Sequence, residues 1–143
     1  MSRPSIQDEL LGELKRNPET GAWQADWEFA PGHSVDVIIH HDGELDAVPE
    51  RVKQFLLTLG EKDESIRREF ARKLIQLCNE DWNPDEQLTE DEFAGRIKLQ
   101  GVVVHSGDED AELFYDDDDI FAGHSVSAFM NADGRISEPN LAG

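Results

Sequence analysis

Trp23-Gln24-Ala25-Asp26-Trp27-Glu28-Phe29 alternates apolar and polar side chains one by one. Successive side chains on a strand point to opposite faces, so the stretch predicts a strand with Trp23, Ala25, Trp27 and Phe29 inward and Gln24, Asp26 and Glu28 outward. Large rings at strict alternation predict a core face rather than the wall of a ligand cleft. Working outward, Ala30-Pro31-Gly32 turns the chain, and Val35, Val37 and Ile39 repeat the period of two in a strand that ends at His41-Asp42-Gly43. Upstream, Leu10 to Lys15 reads as a shorter strand closed by the turn cluster Asn17-Pro18-Glu19-Thr20-Gly21. Residues 1–9 read as a flexible tail, and a single domain is expected over residues 10–143.

The period then changes. Val48, Val52, Phe55, Leu56 and Leu59 form a helical stripe, with Asp46 expected to cap its start, Pro49 tolerated in the first turn and Gly60 at its end. A second stripe follows at Ile66, Phe70, Leu74, Leu77, Cys78 and Trp82, so the two predict a helix hairpin, stopped at Asn83-Pro84. Thr89 and Glu92 make a capping box, and Leu88 and Phe93 a hydrophobic staple, which start a short third helix ending near Gly95. Strand signals return over Ile97–Ser106, Glu112–Tyr115 and His124–Met130, with turns at Gly107–Asp110 and Asn131–Gly134, the latter leading into Arg135-Ile136. The order predicts an α+β fold: an antiparallel sheet of six to seven strands in two blocks, with the helices packed on one face.

A chain of 143 residues is long enough to bury a core without disulfide or metal. Its net charge of −19 disfavours nucleic acid and anionic membrane as partners and favours fast, salt-sensitive association with a basic protein. The single cysteine, Cys78, fits a reducing compartment; no signal peptide or membrane-length apolar run is present, so a cytoplasmic protein is expected. The charge is also polarised. Seven of the 13 Lys and Arg residues fall between Arg51 and Lys73, whereas residues 101–143 hold ten acids against Arg135 alone. Helices on one face of the sheet would therefore leave one mixed-charge side and one strongly acidic side.

The candidate site is Asp116-Asp117-Asp118-Asp119, between Phe114-Tyr115 and Ile120-Phe121-Ala122-Gly123-His124-Ser125. Four adjacent carboxylates repel one another unless solvated or neutralised, which places them on a surface loop where a basic partner docks. On that reading their replacement by Asn leaves folding intact. His124 is expected to hydrogen-bond the loop backbone and, with Asp116, Asp117, Asp118 and Asp119, to belong to the partner-binding site. Asp118, Asp119 and His124 are the alternative, as ligands of a metal-dependent hydrolase. No register of the run meets the calcium-loop pattern: starting at Asp118, Gly123 falls at position six, but Ile120 and Phe129 occupy positions three and twelve. His40 and His41 are adjacent and point to opposite faces of a strand. Gly123-His124-Ser125 lacks the last glycine of a nucleophile elbow, and Cys78 lies on an apolar stripe, where thiols are inert. No phosphate-binding glycine loop or dinucleotide fingerprint occurs, so no cofactor is expected.

The Trp-containing strand, the central helices, Asp119-Ile120-Phe121-Ala122-Gly123-His124-Ser125-Val126, the Asp133-Gly134 turn and the closing Leu141-Ala142-Gly143 resemble the bacterial family called domain of unknown function 2262, from about Leu10 to Gly143. The resemblance carries no catalytic residues. Related small acidic bacterial families are suspected of immunity- or antitoxin-like roles, so it implies a role of that kind. The leading expectation is a non-enzymatic acidic interaction domain, with the hydrolase and a structural accessory domain as alternatives.

Overall fold

The computed structural model describes residues 5–41, 45–105 and 110–142. Eight strands form one sheet whose spatial order repeats the chain order: β1 (Ser5–Asp8), β2 (Gly12–Arg16), β3 (Trp23–Ala30), β4 (His33–His40), β5 (Lys98–His105), β6 (Ala111–Asp116), β7 (Ser125–Met130) and β8 (Asn140–Ala142). All neighbours pair antiparallel except β4 and β5, which run parallel. A parallel pair cannot be closed by a tight turn and needs a crossover. The central segment supplies it: α1 (Glu50–Leu77), a π-helical turn (Cys78–Trp82) and α2 (Glu90–Arg96). The fold is therefore α+β in two strand blocks, but the blocks meet in parallel.

The alternation of Trp23, Ala25 and Trp27 is realised: all three are buried, while Gln24, Asp26 and Glu28 are exposed. Val35, Val37 and Ile39 of β4 and Leu113 and Tyr115 of β6 join them under α1, and one hydrophobic core runs through the described elements. The capping box at Thr89 is present in both directions, with Glu92 N–H donating to Thr89 Oγ1 and Thr89 N–H to Glu92 Oε1, each at 3.1 Å.

The helix hairpin is corrected to one continuous helix. α1 runs through Gly60 for 28 residues, and its buried positions Val52, Phe55, Leu56, Leu59, Ile66, Phe70 and Leu74 form one stripe. Asp63 sits on that stripe in the gap between Leu59 and Ile66, and an ionisable residue there reads as a break in the apolar pattern. It is three-quarters or more shielded and faces Tyr115. Asp46 does not cap the helix; Pro49 occupies the N-cap position without a side-chain bond.

Two edge strands were absent from the sequence expectation. Residues 5–8 of the supposed tail form β1, which pairs residue for residue with β2 and buries Ile6. The Asp8 carboxylate accepts the Leu10 and Leu11 N–H groups at 2.9 and 3.1 Å and holds Lys53 of α1 at 2.9 Å. β8 pairs with β7 through three residues. Both edges are short, which limits edge-to-edge pairing with other chains. The Asp42-Gly43 turn and most of the Gly107–Asp110 turn lie outside the described residues.

Candidate functional site

The aspartate run is not a uniform solvated loop. Asp117 is 1% exposed. Its carboxylate accepts three backbone N–H groups, from Asp119 at 3.1 Å, Phe121 at 2.8 Å and Gly123 at 3.1 Å. A carboxylate with that many charge-assisted bonds is satisfied inside the loop and is lost to any docking surface. The chain wraps around it so tightly that Asp118, Asp119 and Ala122 take left-handed backbone angles, with φ of 51, 60 and 57°. Asp118 points outward to Arg96 at the end of α2: Nε donates to Oδ2 at 3.0 Å, and Nη2 to the Asp118 carbonyl at 2.6 Å. Asp116 and Asp119 remain exposed.

The loop is clamped from the helical side as well. Asn83 Nδ2 donates to the Ile120 carbonyl at 2.6 Å, and Trp82 stands edge-on to both Phe121 and His124. His124 Nδ1 lies 2.6 Å from the Phe121 carbonyl, so this nitrogen carries the proton and donates. The histidine therefore ties the loop backbone together as expected. Asp118, Asp119 and His124 do not converge: Asp118 is committed to Arg96 and His124 to a carbonyl, and among the described residues no group of three or more His, Cys, Asp or Glu is placed to hold a metal ion. Cys78 is fully buried, and burial pushes its thiol upward, against the opposing hydrogen bond from Asn83.

The sheet has a second face that α1 and α2 leave uncovered, and the loop opens onto it through Asp116. Two cross-strand rows define it. One runs Gln24, Ile38, Val103, Glu112, Phe129; the other runs Asp26, Asp36, Gly101, Phe114, Ser127. Ile38, Val103 and Phe114 are half-buried, and Phe129 is 47% exposed. Asp26, Glu28, Asp36, Glu112 and Asp116 surround them. Several acids on the helical side are answered by bases: Asp63 by Arg67, Glu64 and Asp91 by Arg68, Glu69 by Arg72 and Glu138 by Lys73. Among the described residues, those on the open face have only Lys15, itself paired with Glu13, and Lys98 on neighbouring strands.

Asp26 and Asp36 face each other directly across β3 and β4. Like charges in register destabilise a sheet. Partial burial, and then the hydrogen-bonded Asp26 carboxyl, push Asp36 above the usual carboxylate value. At the far end of the parallel pair, His40 stacks on His105 with ring centroids 4.6 Å apart and planes 12° apart. Sequence spacing had set His40 beside His41; the β4–β5 register brings it instead to a residue 65 positions away. A strongly acidic side was expected from the charge distribution; which residues share its cross-strand rows depends on register and could not be read from any one strand alone.

The family described as "uncharacterized protein conserved in bacteria (DUF2262)" matches residues 8–141. No curated protein and no solved structure matches the chain. Among the described residues no helix is long and apolar enough to cross a membrane.

Proposed function

We propose that this chain, which belongs to the bacterial DUF2262 family, is a non-enzymatic interaction domain of the cytoplasm that docks a basic protein on its open sheet face. The observation that carries the reading is the apolar group Ile38, Val103, Phe114 and Phe129 ringed by Asp26, Glu28, Asp36, Glu112 and Asp116. Protein interfaces combine an apolar centre with a polar rim, and fixed charge at the rim steers the encounter. The Asp26–Asp36 pair gives the face a specific demand for positive charge, because a partner's Lys or Arg between the two carboxylates relieves their repulsion. Asp116, Asp118 and Asp119 extend the acidic rim, whereas Asp117 serves the loop. A partner with a basic cleft, as in an immunity- or antitoxin-like pair, fits this chemistry.

The test compares wild type with Asp26→Asn/Asp36→Asn/Phe129→Ser, none of whose side chains belongs to the core. Each is used to capture proteins from the native cell at low and moderate salt, and the captured protein is then purified and its association rate measured. A basic protein that binds wild type with a salt-dependent on-rate, and the triple variant at least about tenfold more weakly, supports the reading. Equal binding to both would remove the sheet face as the docking surface.

A further inference from the structure

A separate cleft of about 660 Å³ opens between the β3–β4 turn, the middle of α1, the end of α2 and the start of β5. That volume lies within the range of small-molecule sites. Phe29, Pro31, Ile97 and Leu99 give it apolar walls, and its polar groups are Asp63, Arg67, Lys98 and His33. In a chain with 32 acids and 13 Lys and Arg residues, here the bases outnumber the acids.

Asp63 is fully engaged: Oδ1 accepts the Tyr115 hydroxyl at 2.6 Å, and Oδ2 accepts Arg67 Nε at 3.0 Å. Arg67 is held by that bond and by Nη1 donating to the Ala94 carbonyl at 2.8 Å, while its Nη2 donates to no group among the described residues. A guanidinium fixed on one side with donors free on the other is an oriented anion receptor. Lys98 makes no ion pair among the described residues. His33 donates from Nε2 to the Leu99 carbonyl at 2.7 Å, which leaves Nδ1 as its second polar atom. Gly95, exposed in α2, lines the cleft, and an added Cβ there would meet no atom within 4 Å, so a larger side chain can be introduced at its edge without a clash.

We propose that this cleft binds a small organic anion, with a carboxylate or phosphate on Arg67 and Lys98 and an aromatic or aliphatic body against Phe29 and Ile97. The site uses none of the acids of the open sheet face and shares only Lys98 with its border; the docking test alters Asp26, Asp36 and Phe129 and this one alters Lys98 and Gly95, so the two readings fail separately.

The experiment is an NMR titration of the full chain with benzoate, phenyl phosphate and inorganic phosphate as separate probes. Saturable shifts centred on His33, Gly95 and Lys98 are expected with benzoate or phenyl phosphate, and the stronger of the two identifies the head group. Lys98→Gln should weaken that binding about tenfold, the loss of one charge-assisted hydrogen bond. Gly95→Trp, which fills the cleft from an exposed helical position, should abolish it; Gly95→Leu replaces that variant if its melting curve shows misfolding. Absence of saturable shifts with every probe at millimolar concentration overturns the proposal. So does inorganic phosphate binding as tightly as phenyl phosphate, or undiminished binding in a folded Gly95 variant.

Discussion

Tyr115 donates its hydroxyl to Asp63 Oδ1 across 2.6 Å, tying strand β6 to the middle of α1. A buried hydroxyl needs a partner, and a charged acceptor makes a stronger one. Burial first, and then the negative Asp63, hold the Tyr115 phenol far above its ordinary value of 10.0. The folded state thus keeps this proton after the unfolded chain would lose it, and stability falls as pH rises through 10.0. Since the chain has one tyrosine, tyrosinate absorbance should appear in alkaline titration only together with unfolding. Tyr115→Phe is expected to cost about 1–2 kcal/mol and Asp63→Ala about 3 kcal/mol in denaturant melts. Strict additivity in the double variant would mean that the bond couples nothing.

Asp117 and Asp119, two residues apart, are expected to differ sharply in their contribution to stability. Asp117→Ala strands three backbone donors in a loop with little access to water, at a cost of about 2–4 kcal/mol. Asp119→Ala should change stability by less than about 1 kcal/mol, its left-handed angle being the main penalty. Replacing all four aspartates by Asn should accordingly destabilise the fold, contrary to what charge relief alone implies. Chemical denaturation of the single variants decides; equal effects at the two positions would contradict the buried role of Asp117.

Gly60→Ala should stabilise the protein by about 1 kcal/mol, because Gly60 lies inside a helix with open space around it. A helix that ended at this residue would lose stability on the same change. The sign of the shift in melting temperature therefore reports directly on the continuity of α1.

Asp36→Asn should raise the melting temperature at neutral pH by relieving the cross-strand repulsion from Asp26. A carboxyl whose folded value is raised binds its proton more tightly when folded, so wild-type stability at this site grows as pH falls toward the ordinary value of 3.8. The advantage of the Asn variant should therefore shrink on acidification. An advantage that widens below neutrality would show that Asp36 is not the strained member of the pair.

The strands β3 to β7 and the capping box of α2 were legible because each is specified by neighbours in sequence: alternation for the strands, and Thr89 with Glu92 for the cap. What escaped depends on partners far along the chain. Asp63 reads as a loop residue until Tyr115 and Arg67 are beside it. Asp117 reads as one of four equivalent carboxylates until the chain folds over it, and no pattern distinguishes the aspartate that turns inward. The short edge strands carry too few apolar residues to announce themselves: Ile6 alone marks β1. The parallel junction of β4 and β5 follows from the crossover, which the apparent helix break at Gly60 disguised.

The agreement between spatial order and chain order also bears on how the molecule reaches this state. β1 to β4 and β5 to β8 can each form as ladders of neighbouring strands, at small loop-closure cost. The β4–β5 pairing alone must close across the whole segment 41–97. Alignment of Val37 with Val102 and of Ile39 with Val104 is then the late, entropically dear step. Weakening that seam should slow refolding, whereas weakening β1 or β8 should chiefly hasten unfolding.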